Sequence, residues 1–382
     1  MKMINYAESS FDQMLKNLSD YKILDDIKKI LIDWNPKRIE FVASGSSFNG
    51  TLIVLDELKK IIDYQIELHT PEYIVKQNQF DNSSVYILIS QSGESTNILS
   101  CLSFLKNKNC KILSLTGDEN STFYNHSDNA YYYGAGHEKV GFVTTGVQTL
   151  CEFLIALFIK VSNDLDGYQL FCKGVKKLQS IQEEIVEHIL YFSDTNKLLL
   201  AQHSPTFFCG NLGNYGIAKE GALKWQETLK RPAMYYEVEE FLHGPDYQLT
   251  PSHAVFLLDD PLGDDRIYQI YEELSNVTDK VFLITYSNCK ENQNTILTLP
   301  TIDFPYLYTF SYLMAIQIIA ALMSDSTQTW VKHPYFEAFN KRKFIIMVAP
   351  IVLNALISIE PFCEISIIIL ATRATNCTTK IP

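Results

Sequence analysis

No two of the eight cysteines (Cys101, Cys110, Cys151, Cys172, Cys209, Cys289, Cys363, Cys377) form a C-x-x-C pair, so the chain offers neither a zinc motif nor a redox motif. That usage points to a reduced, cytoplasmic setting and to no metal cofactor. Lysine and arginine form no stripe, and a net charge of −12 leaves nucleic acid or an anionic membrane without an attracting field. The opening residues, Met1 to Glu8, contain no apolar signal region, so export is not expected. Neither Gly-x-Gly-x-x-Gly nor Gly-Lys-Ser/Thr follows the first strand-like run, which argues against a dinucleotide or a nucleoside triphosphate.

What is present is core. With 382 residues, 47% of them hydrophobic, the chain can bury two domains of ordinary size. Strand-like runs at 39–43, 85–89 and 111–115 alternate with helical patterns, and the series returns at 205–209, 253–258 and 280–285. Phe41 and Phe207, Val85 and Val255, and Ile112 and Phe282 stand at nearly constant separations, which predicts one βαβ unit used twice. The expected fold is α/β, two tandem doubly wound parallel sheets flanked by helices. The expected divisions are a helical start over 1–30, a first domain over 31–167, a charged connecting helix over 168–200, a second domain over 201–343 and a tail over 344–382. The tail changes character: apolar runs at 345–349 and 365–370 are broken by Pro350, Asn354, Glu360, Pro361 and Glu364. A membrane span needs about 20 apolar residues with few breaks, so a buried or frameshifted end is the expectation.

Two turns carry the chemistry of the first half. Ser44-Gly45-Ser46-Ser47 follows Ile39–Ala43, and Ser90-Gln91-Ser92-Gly93-Glu94-Ser95 follows Val85–Ile89; each opens a helical stretch. The first N–H groups of a helix lack partners, and the hydroxyls of Ser46, Ser47, Ser90, Ser92 and Ser95 can complete a donor set around an anion. At about 1.5–3 kcal/mol per charge-assisted bond, four or five such donors can hold a sugar phosphate without lysine or arginine. The second half has Gly210–Gly216 and Asp259–Asp265 as counterparts, and carboxylates in the latter would repel phosphate. One phosphate site, in the first half, is expected.

In the second half Glu220, Lys224 and Glu227 fall on one face of a helix beginning near Tyr215, opposite Ala218, Ala222, Trp225 and Leu229. Periodicity alone reads this as a solvated face with a Glu–Lys pair. His243, between the acidic stretch Glu237–Glu240 and a Gly244-Pro245 breaker, has the setting of a titrating loop histidine or of an ordinary surface one.

Ala43-Ser44-Gly45-Ser46-Ser47, Ser90-Gln91-Ser92-Gly93-Glu94-Ser95, Glu220-Gly221-Ala222-Leu223-Lys224 with Glu227, and His243-Gly244-Pro245 stand in the order found in the sugar isomerase (SIS) domain family. Over roughly residues 30 to 340 the chain resembles the isomerase half of glucosamine-6-phosphate synthase and the fructosamine- and fructoselysine-6-phosphate deglycases. The resemblance implies two SIS domains, with sugar phosphate on Ser46, Ser47, Ser90, Gln91, Ser92 and Ser95. It implies that Glu227 moves a proton between C1 and C2, that His243, reaching in from a neighbouring subunit of a homodimer, opens the sugar ring, and that Glu220 and Lys224 orient Glu227. No cofactor is implied. The synthase's amino-terminal glutaminase is not matched here, which argues against glutamine-dependent synthesis. Its Ser-Thr-Lys stretch corresponds to Val143-Thr144-Thr145-Gly146, which lacks the lysine, and its terminal lysine corresponds to Lys341 or Lys343. The expected activity is cleavage of a fructosamine- or amino-acid-linked ketose 6-phosphate to aldose 6-phosphate and free amine. Aldose–ketose isomerisation, amino-sugar-phosphate deamination and a non-catalytic sugar-phosphate sensor are the alternatives.

Overall fold

The computed structural model describes residues 2–329 apart from 20, 21, 79, 137, 261–264, 287–292 and 305. The described residues belong to one compact unit, Met1–Val331, and Lys341, Lys343 and the 344–382 tail lie outside them. Two sheets organise the unit. The first comprises β1 (Arg38–Val42), β2 (Gln65–His69), β3 (Ser84–Ser90), β4 (Lys111–Thr116) and β5 (Ala130–Tyr132) in the order β2-β1-β3-β4-β5. The second comprises β6 (Thr206–Gly210), β7 (Ala233–Tyr236), β8 (Ala254–Leu258), β9 (Val281–Thr285) and β10 (Ile296–Thr298) in the order β10-β9-β8-β6-β7. Every pairing is parallel, and the second order is the first read from its other edge. The repeated α/β unit expected from the apolar runs is therefore present.

The six expected strands are β1, β3, β4, β6, β8 and β9, the three inner strands of each sheet. They are buried almost throughout, which gives the continuous apolar runs of a parallel sheet covered on both faces. The four strands without such a signal, β2, β5, β7 and β10, are the sheet edges; they are three to five residues long and only partly buried.

Five helices matter for the site: α1 (Gly45–Ile61) after β1, α2 (Thr96–Asn107) after β3, α3 (Thr145–Val161), α4 (Gly213–Lys224) after β6, and α5 (Tyr308–Thr327). The helical start comprises Met3–Glu8, Ser10–Leu18 and Ile23–Trp34, and the region between the sheets is three helices, Leu165–Ser180, Gln182–Thr195 and Lys197–Ala201, where a single one was expected. Among the described residues α5 is the one helix long and apolar enough to cross a membrane, and 83% of its apolar window is buried inside the protein. It packs as a core helix beside α3, which is buried over nearly its whole length. Gln148 of α3 donates to the Phe310 carbonyl and Gln317 of α5 to the Thr144 carbonyl, so the two helices exchange side chain-to-backbone bonds.

The corresponding helices α1 and α4 meet closely. A Cβ added to Gly216 would lie 2.6 Å from the Ile53 backbone nitrogen, and one on Gly213 would lie 2.6 Å from the Ile53 carbonyl oxygen. In a free helix Gly→Ala gains about 1 kcal/mol. At Gly216 the order reverses: Gly216→Ala forces two backbones apart and is expected to destabilise by about 1–3 kcal/mol, read as a lower midpoint in urea unfolding with an unchanged slope.

Candidate active site

β1 and β3 are the strands between which the chain order reverses, the place where open α/β sheets accept ligands. Both serine turns leave their carboxyl ends there. Ser44 and Ser95 stand at the N-caps of α1 and α2 in extended conformation, yet neither side chain caps its helix. Thr70 and Ser121, in the same position on other helices, do accept from the backbone at Tyr73 and Tyr124. Apart from Ile98, whose N–H donates to Asn97 Oδ1 at 2.9 Å, the two helix starts thus keep first-turn N–H groups unspent, with the positive ends of both dipoles at one end of the sheet. Asn97 Nδ2 donates to Ser44 Oγ at 2.8 Å and ties the turns together.

The expected phosphate residues divide by what they touch. Among the described residues, Ser47, Ser90 and Ser95 have no partner on Oγ, and exposed Ser92 accepts only the Glu94 N–H at 3.3 Å. Gln91 donates to Glu138 at 2.8 Å. Ser46 turns inward, its hydroxyl donating to Glu220 Oε1 at 2.9 Å, away from the anion role. Gly93 adopts φ +63°, where a Cβ would run into the Ser121 side chain, and Glu94 holds the Thr122 N–H and hydroxyl at 2.6 and 2.9 Å. These two residues shape the turn.

Glu138 was not signalled by the sequence. Besides Gln91, its carboxylate accepts the N–H groups of Thr144, at 3.1 Å, and Thr145, so the start of α3 is already filled by a side chain of the protein. Val143–Gly146, where the resembled enzymes carry a lysine, therefore surrounds an internal anion.

Glu220 and Lys224 have no exposed side-chain surface, contrary to the solvated face that periodicity suggests. The reason is α1, which covers them. Glu220 accepts from Ser46 on one oxygen and from Asn49 Nδ2, at 2.8 Å, on the other; Asn49 is a second residue the sequence did not signal. Lys224 Nζ lies 3.1 Å from Glu220 Oε1, 3.3 Å from Ser46 Oγ and 2.8 Å from Glu227 Oε2. Burial works against the ammonium, but the two carboxylates outweigh it and hold its pKa above the ordinary lysine value. After Lys224 the helix widens into a π turn, Trp225–Leu229, which carries Glu227. Such turns recur at functional sites. Glu227 keeps 33% of its side chain exposed, so this chain of charges reaches solvent at one end.

His243 lies on an exposed loop between Val238–Phe241 and Pro245–Gln248. Its Nδ1 bonds the Glu239 carbonyl at 2.7 Å, which makes Nδ1 the donor and directs Nε2 outward. That bond raises the imidazole pKa, with Glu240, Glu239 and Asp246 adding to it. No hydrogen bond or ion pair among the described residues joins His243 to Glu220, Lys224 or Glu227. At the corresponding reversal of the second sheet, Asp259 is buried against the Thr285 hydroxyl at 2.6 Å, and burial raises its pKa. Residues 261–264 of that loop lie outside the described residues. Elsewhere, Glu40, Glu67 and His69 gather across β1 and β2, with Arg38 beside both carboxylates.

Removing Lys224 strands the buried Glu220 charge. Lys224→Met is expected to cost about 3–5 kcal/mol in guanidinium unfolding. Glu220→Leu combined with Lys224→Met should cost less than Lys224→Met alone.

The comparisons with known proteins agree with this geometry. Residues 32–159 match the model of the SIS domain. Glutamine–fructose-6-phosphate aminotransferase (isomerizing) of Pyrobaculum aerophilum is 24% identical over 249 residues, 64% of this chain and 40% of that protein. The chain thus matches about two fifths of the length of such curated relatives. In fold, it is similar to a candidate phosphosugar isomerase from Clostridium difficile 630 (TM-score 0.79, 24% identity, 88% of this chain and 97% of the other). It is also similar to the C-terminal domain of glucosamine-fructose-6-phosphate aminotransferase from Francisella tularensis (TM-score 0.73, 23% identity, 87% and 96%). Residues 32–159, which hold the first parallel sheet and both open helix starts, are thus the stretch of the chain that is similar to the SIS domain.

Proposed function

We propose that the chain is a phosphosugar enzyme that cleaves an amine-linked ketose 6-phosphate to an aldose 6-phosphate and free amine, and that residues 201–343 form a second SIS domain. The observation that carries this reading is Glu227, a partly exposed carboxylate held at 2.8 Å by a buried lysine and linked through Ser46 to the turns at the switch point. A carboxylate so placed can accept a carbon-bound proton and return it. Ser47, Ser90, Ser92 and Ser95, with the first N–H groups of α1 and α2, would hold the phosphate; Gln91 would border it.

In the reaction, ring opening moves a proton onto the ring oxygen and off the C2 hydroxyl, exposing the C2 carbonyl beside the C1 amine. Glu227 takes the proton from C1 and delivers it to C2 while the amine N–H proton passes to the C2 oxygen, which leaves an imine at C1 and a hydroxyl at C2. Water adds there, the C1–N bond breaks, and the amine departs with its proton. His243 serves ring opening through Nε2. Because it is exposed and shares no described bond with the charged trio, His243 of a second copy would complete the site of a homodimer. Sugar phosphate is the partner on this reading.

Incubation with a panel of 6-phosphorylated fructosamines, fructose 6-phosphate and glucosamine 6-phosphate, followed by mass spectrometry, tests it. Release of amine and glucose 6-phosphate, lost in Glu227→Gln, is the expected outcome. Turnover of the plain sugars alone would make it an isomerase or deaminase, and binding without product a sensor. Full turnover by Glu227→Gln would refute the mechanism. The raised pKa of His243 gives a second expectation. Its cationic form persists to higher pH than an ordinary histidine's, so kcat should fall only as pH rises through that elevated value. His243→Asn should lower kcat by about 10²-fold or more and flatten that alkaline limb.

A further inference from the structure

The two open helix starts are joined through one side chain, that of Asn97. Ser44, the N-cap residue of α1, is extended at φ −139° and ψ 156°, the conformation from which a serine hydroxyl ordinarily accepts an N–H two or three residues on. Those groups are the N–H of Ser46 and Ser47, and among the described residues neither has an acceptor. Ser44 Oγ accepts instead from Asn97 Nδ2 at 2.8 Å, across 53 residues of chain. The amide is fixed in that sense because its other end, Oδ1, accepts the Ile98 N–H at 2.9 Å.

Asn97 therefore acts on both starts. Ile98 is the third residue of α2, and its N–H is one that the hydroxyl of the N-cap residue Ser95 would otherwise accept. By taking it, Asn97 leaves the Ser95 hydroxyl without a capping duty; by holding Ser44 Oγ, it leaves the Ser46 and Ser47 N–H groups open. Between other strands of the same sheet, Thr70 and Ser121 cap their own helices through the N–H groups of Tyr73 and Tyr124. The uncapped pair is the one joined by Asn97. A capping bond lies one side-chain rotation away from Ser44, so loss of the amide returns the hydroxyl to its own helix.

We propose that Asn97 is a positioning residue for the phosphate: it draws the Ser44 hydroxyl off α1 and so keeps the Ser46 and Ser47 N–H groups available to an anion. The inference rests on the phosphosugar reading above and adds to it the device that holds the first turn open. Asn97 acts through Ser44 and not on the sugar. A cap withheld is stability forgone, so release of Ser44 should move stability and affinity in opposite directions, which a residue that merely supports the fold would not do.

The test is calorimetric titration of full-length Glu227→Gln protein with fructose 6-phosphate, with circular dichroism melting of each variant on that background. Asn97→Leu should weaken binding about 10-fold or more, the scale of one charge-assisted hydrogen bond, while the melting temperature holds or rises. Adding Ser44→Ala removes the competing hydroxyl, and the affinity should return to that of the parent. Asn97→Ala, with less bulk, gives the same comparison if leucine disturbs packing. Ser44→Ala alone should leave the melting temperature unchanged, whereas Ser121→Ala, which removes a cap that is made, should lower it. Binding by both Asn97 variants as tight as the parent's would overturn the proposal, as would a loss of affinity that survives Ser44→Ala. Either result leaves the phosphosugar reading standing, because the parent still binds. Failure of the parent itself to bind fructose 6-phosphate would remove both.

Discussion

The approach of α4 to α1 is the constraint on which the rest of the molecule depends. Gly213 and Gly216 let the two backbones close on Ile53. At that distance any charge between the helices is cut off from water, and the chain places two there, Glu220 and Lys224. Ionic groups so buried are tolerated only when each lone pair and proton finds a partner. Ser46 and Asn49 of α1 supply those partners, and Lys224 spends its remaining proton on Glu227. Packing, charge balance and the direction of the one carboxylate that reaches solvent are therefore a single arrangement.

The two sheets share a topology but divide the labour. The first offers helix starts whose dipoles and N–H groups favour an anion, and the second offers charged side chains from the helix after its own first strand. At the second reversal point the buried Asp259 takes the place that serine turns occupy in the first. The start of α3 is filled by Glu138, so of the three helix starts described near the serine turns, two remain suited to an external anion.

Much of this was legible in the sequence, within limits that have physical causes. Inner strands announce themselves because both faces are buried; the edge strands β2, β5, β7 and β10 are short and half-wet, and their residues read like loops. The serine turns were recognisable because their chemistry is local. The inward turn of Ser46 was not, since nothing in Ser44–Ser47 tells which neighbouring helix will offer a carboxylate. For the same reason helical periodicity put Glu220 and Lys224 in water: it marks a face and is silent about what covers it. Asn49, one turn after Ser46, and Glu138, seven residues before Thr145, act through partners distant in sequence, or across a loop whose path the sequence pattern did not show.

The crossed glutamine bonds bear on how far the repeat can be taken apart. Gln148 supports the backbone where α5 begins, and Gln317 supports the backbone where α3 begins. Each half thus places a side-chain donor on a backbone carbonyl of the other's buried helix, just as each contributes one wall of the charged site. In genetic terms the repeat is not modular: a gene fragment that ended between the sheets would leave Gln148 or Gln317 without its acceptor and Glu220 without Ser46 and Asn49.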